Sequence, residues 1–146
     1  ADLGFVGDVE SINPMILNAL LADEFIPVVA TIGTDAAGQA FNINADAVAG
    51  AIAEALGAEK LVYLTDIDGL RRVVDDPGSL IRQTTPAELD GLMADGTIAG
   101  GMIPKVESCT HAVRGGVRRA HILDGRIAHV LLLEIFTDEG IGTMIQ

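Results

Sequence analysis

Positive charge is scarce in this chain. Nine Lys and Arg stand against 21 Asp and Glu, for a formal net charge of −12. That balance repels a nucleic-acid backbone, and no Lys/Arg stripe interleaved with aromatics offsets it locally, so nucleic acid is not an expected partner. An anionic ligand such as ATP would need a local cluster of basic side chains or backbone N–H groups, with Mg²⁺ screening the remainder. Cysteine is scarcer still. Cys109 stands alone, which leaves no intrachain disulfide and no metal-ligand spacing, and makes the reducing cytoplasm the expected compartment. Long hydrophobic runs are missing too. None approaches the about 18 residues of a membrane span, and no signal peptide opens the chain. An initiator Met is also missing: Ala1-Asp2-Leu3-Gly4 runs straight into a strand-like segment, which points to a piece of something longer.

Aromatics are few, with four Phe, one Tyr and no Trp, yet 49% of the 146 residues are apolar. The core must therefore be packed with Ala, Val, Ile and Leu, a composition suited to parallel strands covered by helices. The length is that of one ordinary domain, and no repeat, linker or low-complexity segment divides it, so residues 1–146 are read as a single domain.

The pattern along the chain alternates. Residues 3–9 read as a strand or hairpin arm. Asn13 followed by Pro14 reads as a helix start, with Asn as N-cap and Pro in the first helical position, and the helix carries Ile16, Leu17, Leu20 and Leu21 on one face. The run 26–32 contains Val28-Val29 and predicts a buried strand, and 39–43 returns after the turn Asp35-Ala36-Ala37-Gly38 as a hairpin arm. Ala45, Val48, Ala49, Ile52, Ala53 and Leu56 recur with helical spacing and stop at Gly57. Residues 60–65 predict a central strand, Asp75-Asp76-Pro77-Gly78 a hairpin turn, and Thr85-Pro86-Ala87-Glu88 a capping box. A helix follows over 102–113, then a strand and tight turn over 120–125, a short helix over 129–136 and a closing strand over 142–145. Strands alternating with helices predict a three-layer α/β/α sandwich with a mainly parallel sheet.

Three stretches could carry chemistry. Asn42 and Asp46 straddle a strand end and a helix start, where open α/β sheets bind ligands. The plainer reading has Asn44 as N-cap, Asp46 as a complement to the helix dipole and Asn42 as a turn residue. Gly100-Gly101 before Met102-Ile103-Pro104-Lys105 makes a helix N-terminus whose free N–H groups can receive an anion. Lys105 lies about one turn in and could fold back to the same anion, or be an ordinary exposed lysine. Thr65-Asp66-Ile67-Asp68-Gly69 ends a buried strand and could present a carboxylate to a ribose, or be only a turn. His121, Glu134 and Gly140 form no hydrolytic triad, because no Ser or Cys nucleophile has a matching partner. His111 and His129 are too scattered for a metal site, and Cys109 falls on an apolar helical stripe, a packing position.

Together these residues resemble the amino-acid kinase family, and within it the acetylglutamate kinases of actinobacterial type, over nearly the whole chain. The matching blocks are residues 2–9, Asn42-Ile43-Asn44-Ala45-Asp46, Thr65-Asp66-Ile67-Asp68-Gly69-Leu70, Gly101-Met102-Ile103-Pro104-Lys105-Val106, and the tail 133–143. The resemblance implies phosphoryl transfer from ATP, with Mg²⁺, to the side-chain carboxylate of N-acetyl-L-glutamate, an early step of arginine synthesis. It implies that Asn42 holds the substrate, that Asp46 orients lysines around the transferred group, and that Lys105 neutralises charge in the transition state. It places the nucleotide against Thr65, Asp66, Ile67, Asp68, Gly69, Leu70 and Arg71, with Thr97, Ile98, Ala99, Gly101, Met102 and Lys105. His121, Glu134 and Gly140 match the effector site of arginine-inhibited members. The family's lysine–glycine motif, paired-glycine loop and substrate-binding arginine lie in another half that this sequence does not contain, so the chain alone is expected to be inactive, and the complete enzyme to be a homo-oligomer. Two rival readings remain: another member such as a glutamate 5-kinase or an aspartokinase, against which the NINAD block and GIGT tail argue, and a non-catalytic module that senses arginine or nucleotide.

Overall fold

The computed structural model describes residues 4–136 and 140–146. Asp2 and Leu3 of the first motif block, and residues 137–139 of the tail block, lie outside them. Among the described residues, five α-helices and seven strands follow in the order β1 (Val6–Gly7), α1 (Met15–Ala22), β2 (Ile32–Thr34), β3 (Ala40–Ile43), α2 (Ala45–Ala55), β4 (Lys60–Thr65), β5 (Gln83–Thr84), α3 (Pro86–Ala94), α4 (Met102–Arg114), β6 (Arg119–Asp124), α5 (Val130–Phe136) and β7 (Thr143–Ile145). The strands form two sheets among the described residues, β1-β3-β2 and β4-β6-β7-β5. β1–β3, β4–β6 and β5–β7 pair parallel, whereas β2–β3 and β6–β7 pair antiparallel.

The layers follow from side-chain alternation on β6. Ala120 and Ile122 enter the main core with Val106, Cys109 and Ala112 of α4 and Leu61 and Tyr63 of β4. Their neighbours point the other way, and His121 there meets Glu134 of α5. Helices therefore cover both faces of the sheet, as the α/β/α reading expects. Leu89 and Leu92 carry α3 into the same core. No described helix is long and apolar enough to cross a membrane.

Local signals account for the helix ends. Asn44 caps α2, its side chain accepting from the N–H groups of Asp46 and Ala47 at 2.9 and 3.3 Å. Thr85 and Glu88 form the expected reciprocal box, at 3.2 and 3.1 Å. Around Asp76 the chain doubles back in a single 3₁₀ turn, Pro77–Ser79, and Arg71 bridges Leu80 antiparallel.

Several expectations need correction. Residues 26–30 form no strand; Ile26 and Val28 are 90% and 95% exposed, and regular pairing starts only at Ile32. A run with no neighbour to hydrogen-bond and no layer to cover it gains nothing from extended pairing, whatever its propensity. Helix α1 begins at Met15, with Asn13 accepting the Met15 N–H at 3.0 Å from one residue further out than expected. Strand β4 is an edge strand of its sheet among the described residues, and β6 and β7 are the central pair. Helix α5 starts at Val130, because His129 takes a positive φ of 60°.

Candidate functional site

The β3–α2 junction and the start of α4 meet side by side. Lys105, one turn into α4, donates to the Asp46 carboxylate at 2.7 Å, and the two side chains are only 17% and 23% exposed. Asp46 thus does more than complement its helix dipole, and Lys105 is no free surface lysine. The ammonium lies 4.9 Å from the centre of the Tyr63 ring. Burial raises the Tyr63 phenol well above its ordinary value, and the same effect pushes the neighbouring Cys109 thiol up to about 12, so both stay protonated. Asn42 sits on β3 between Val6 and Ile32, exposed, and does not line the cavity described below.

A cavity of about 690 Å³ opens where β4 and β6 end. The two strands are parallel and in register down to Thr65 and Asp124, so their carboxyl ends open one crevice. Its walls are Asp66, Ile67, Asp68, Gly69, Leu70 and Arg71 after β4, Thr97, Ile98 and Ala99 before α4, and Met102 on α4. Thr65, Gly101 and Lys105 do not line it. Thr65 instead braces the turn, its hydroxyl donating to the Ile67 carbonyl at 3.0 Å and accepting the Ile67 N–H at 3.1 Å. Gly101 is the N-cap of α4, whose N-terminus has no side-chain cap. Gly69 takes a φ of 140°, and a Cβ there would meet the Thr143 hydroxyl at 2.7 Å. The same hydroxyl accepts the Leu70 N–H at 2.8 Å and ties the turn to β7.

Sequence reasoning missed Val74, Gly96, Asp124 and Arg126 in this wall. Arg126 grips the Asp124 carboxylate with Nε and Nη2, both at 2.8 Å, and with its own backbone N–H at 2.9 Å. The guanidinium and that N–H hold Asp124 down to about 2. Arg71 similarly meets Asp68 at 2.7 Å and the Val74 carbonyl at 3.0 Å. The available signal was the matching pair of strand endings, Thr65-Asp66 and Leu123-Asp124-Gly125.

The third group also converges. His121, 1% exposed, donates from Nδ1 to Glu134 Oε1 at 2.9 Å, and Glu134 Oε2 accepts the Ile141 N–H at 3.1 Å. Arg82 donates to the Gly140 carbonyl at 3.0 Å. Burial lowers the His121 pKa more than Glu134 raises it, so the imidazole is neutral; its buried Nε2 has no partner among the described residues. No cluster of three or more metal-ligating side chains occurs among the described residues.

Parallel strands ending at one cleft, with helices on both faces of the sheet and a lysine–carboxylate pair at a helix start, define an α/β fold with a ligand crevice at its strand ends. The chain belongs to the amino acid kinase family, whose model matches residues 1–124. It is 55% identical over 144 residues to an acetylglutamate kinase of Symbiobacterium thermophilum, covering 99% of this chain and 49% of that protein. A Pelotomaculum thermopropionicum acetylglutamate kinase is 52% identical over 146 residues, which is 100% of this chain and 50% of that one. The chain thus spans about half the length of the curated relatives it matches. Among solved structures, N-acetylglutamate synthase from Neisseria gonorrhoeae, complexed with coenzyme A and L-arginine, superposes with a TM-score of 0.87 at 32% identity, covering 99% of this chain and 33% of that one. Carbamate kinase from Giardia lamblia bound to AMP-PNP shares the fold, with a TM-score of 0.72 at 21% identity over 96% of this chain and 51% of that one.

Proposed function

We propose that this chain is the nucleotide-side domain of an acetylglutamate kinase, which transfers the γ-phosphoryl group of ATP to the side-chain carboxylate of N-acetyl-L-glutamate. The observation that carries the reading is the Lys105–Asp46 pair, 2.7 Å apart at the start of α4, in a chain 55% identical to an acetylglutamate kinase. Met102 lines the cleft, and Lys105 lies three residues on along the same face of α4.

The cleft fits a nucleotide in size, about 690 Å³ against the roughly 300–1,000 Å³ of small-molecule sites. It fits in chemistry as well. Ile67, Leu70, Ile98 and Met102 offer apolar surface for a base, and Arg71 Nε is a buried donor with no partner among the described residues. Mg²⁺ would screen the phosphate charges; the chain offers no dedicated cage for it among the described residues, so the metal would rest mainly on the phosphates.

Phosphoryl transfer needs positioning and charge neutralisation rather than a protein nucleophile. Lys105 supplies a positive charge, and the uncapped N-terminus of α4 supplies backbone donors and a favourable dipole on the same side. Asp46 keeps the ammonium aimed, 2.7 Å from its carboxylate. Asn42 would hold the acceptor, at the mouth of the β3–α2 junction. His121, Glu134 and the Gly140 loop would take L-arginine as an effector, with Glu134 the carboxylate for its guanidinium. The arginine complex of the N-acetylglutamate synthase supports that reading.

The test is Lys105→Ala in the full-length protein, assayed by hydroxamate trapping of the acyl phosphate. A loss of about 10²-fold or more in kcat is expected, the scale of removing one preorganised electrostatic stabiliser. Wild-type kcat in that variant would end the assignment. An acceptor screen with glutamate and aspartate distinguishes the related amino-acid kinases.

A further inference from the structure

Beneath the Lys105–Asp46 pair lies a buried polar contact that phosphoryl transfer does not itself require. The Tyr63 hydroxyl reaches the Asp46 main-chain carbonyl at 2.7 Å, and the Ser108 hydroxyl reaches the same oxygen at 2.6 Å. The two hydroxyls are 2.6 Å from each other. Three oxygens thus stand in mutual hydrogen-bond contact with two hydrogens to share. Either both hydroxyls donate to the carbonyl, or one donates to the carbonyl and the other to its neighbour. The helix i+4 N–H occupies one of that carbonyl's two lone pairs, so the arrangement in which one hydroxyl donates to the carbonyl and the other to its neighbour is the better satisfied.

The same tyrosine serves the other partner of the pair. Its ring face lies 4.9 Å from the Lys105 ammonium, within the range at which a ring quadrupole attracts a cation. Tyr63 comes from β4 and Ser108 from α4, one turn beyond Lys105. A single side chain therefore fixes the first turn of α2, which carries Asp46, and borders the charge that Asp46 holds. Gly50 completes the arrangement. A Cβ there would stand 2.5 Å from the Ser108 Oγ, so a helix-interior glycine lets Ser108 and Tyr63 approach the helix backbone.

We infer that Tyr63, acting with Ser108 through the Asp46 carbonyl, is a positioning residue that sets the geometry of the Lys105–Asp46 pair. The inference rests on the reading of that pair as the charge-neutralising element of the kinase. Neither Tyr63 nor Ser108 lines the nucleotide cleft. Their loss should therefore act on the chemical step and leave nucleotide affinity alone.

Steady-state kinetics of the full-length protein provide the test, with Tyr63→Phe, Tyr63→Leu and Ser108→Ala compared well below their melting temperatures. Tyr63→Phe keeps the ring and loses the hydroxyl. Its kcat should fall by up to about tenfold, the range one hydrogen bond commands, with KM for Mg·ATP within about twofold of wild type. Tyr63→Leu should fall further, so that Phe is a partial rescue of Leu. Ser108→Ala should match Tyr63→Phe and still report if the leucine variant fails to fold. Unchanged kcat in Tyr63→Phe and Ser108→Ala would overturn the inference, as would a raised KM at constant kcat. Lys105→Ala run in parallel separates the two failures. If it keeps wild-type kcat, the functional reading falls and this inference with it. If it is inactive while the tyrosine and serine variants are normal, only the positioning role falls.

Discussion

At the scale of single residues, side chains of one kind have very different standing. Asp46, Asp68 and Asp124 each hold a cation, yet Asp124 is set apart by receiving three donors from one residue. Its carboxyl is depressed from 3.8 to about 2. A depressed acid stabilises the fold above its unfolded pKa, and that contribution disappears as pH falls through the folded value. The Asp124 contribution should therefore be complete above about pH 4 and vanish near pH 2. Carbon-detected NMR titration of the Asp124 carboxyl should give a midpoint near 2. In Arg126→Ala the midpoint should climb towards 3.8 but stop short, because the backbone N–H still donates. An unmoved midpoint would mean that the guanidinium is not the cause. Lys105 and Asp46 were legible in the sequence as residue types at helix starts. Arg126 and Tyr63 were not: an arginine just past a strand end forms no recognisable pattern even though its partner Asp124 is only two residues away, and a tyrosine in a strand announces nothing until α2 and α4 bring Asp46 and Ser108 close.

Elements were legible where the signal was local. The 3.6-residue spacing over α2, the Asn44 cap and the Thr85–Glu88 box all depend on contacts within one turn, and all are present. The run 26–30 failed for the converse reason: a strand exists only by its neighbours, and its apolar residues meet none here. Helix α5 is a case where tertiary contacts do the holding. It is short, at seven residues, too short for helix propensity to sustain it alone. Glu134 links it to β6 through His121 and to the following loop through Ile141. If this clamp receives arginine, a calorimetric titration should show saturable heat that Glu134→Gln removes. Glutamine keeps one acceptor oxygen for His121 or Ile141, presents an NH2 donor in place of the other, and brings no charge for a guanidinium. Equal heats in both proteins would dismiss Glu134 as the effector carboxylate.

On the scale of the whole molecule, the core and the exposed apolar surface divide the chain. Leu89, Val106, Ile122 and Ile145 are fully buried around α3, α4, β6 and β7, whereas Phe25, Ile26, Val28 and Ile32 all lie open between α1 and β3. An apolar surface of that kind attracts solvatochromic dyes and promotes association. Replacing both Ile26 and Val28 by Lys should reduce dye fluorescence and concentration-dependent association. The melting temperature should scarcely move, since side chains already in water change stability by only about 0.5 kcal/mol either way. A large fall in melting temperature would show that these residues are packed in solution. The ring beneath Lys105 has one more consequence at this scale. Tyr63 is the chain's only tyrosine, and there is no tryptophan, so nearly all of its intrinsic ultraviolet emission originates 4.9 Å from the ammonium paired with Asp46. The polypeptide carries its own optical reporter at the point where its chemistry is proposed, and a ligand that draws Lys105 away should announce itself in that light without a label.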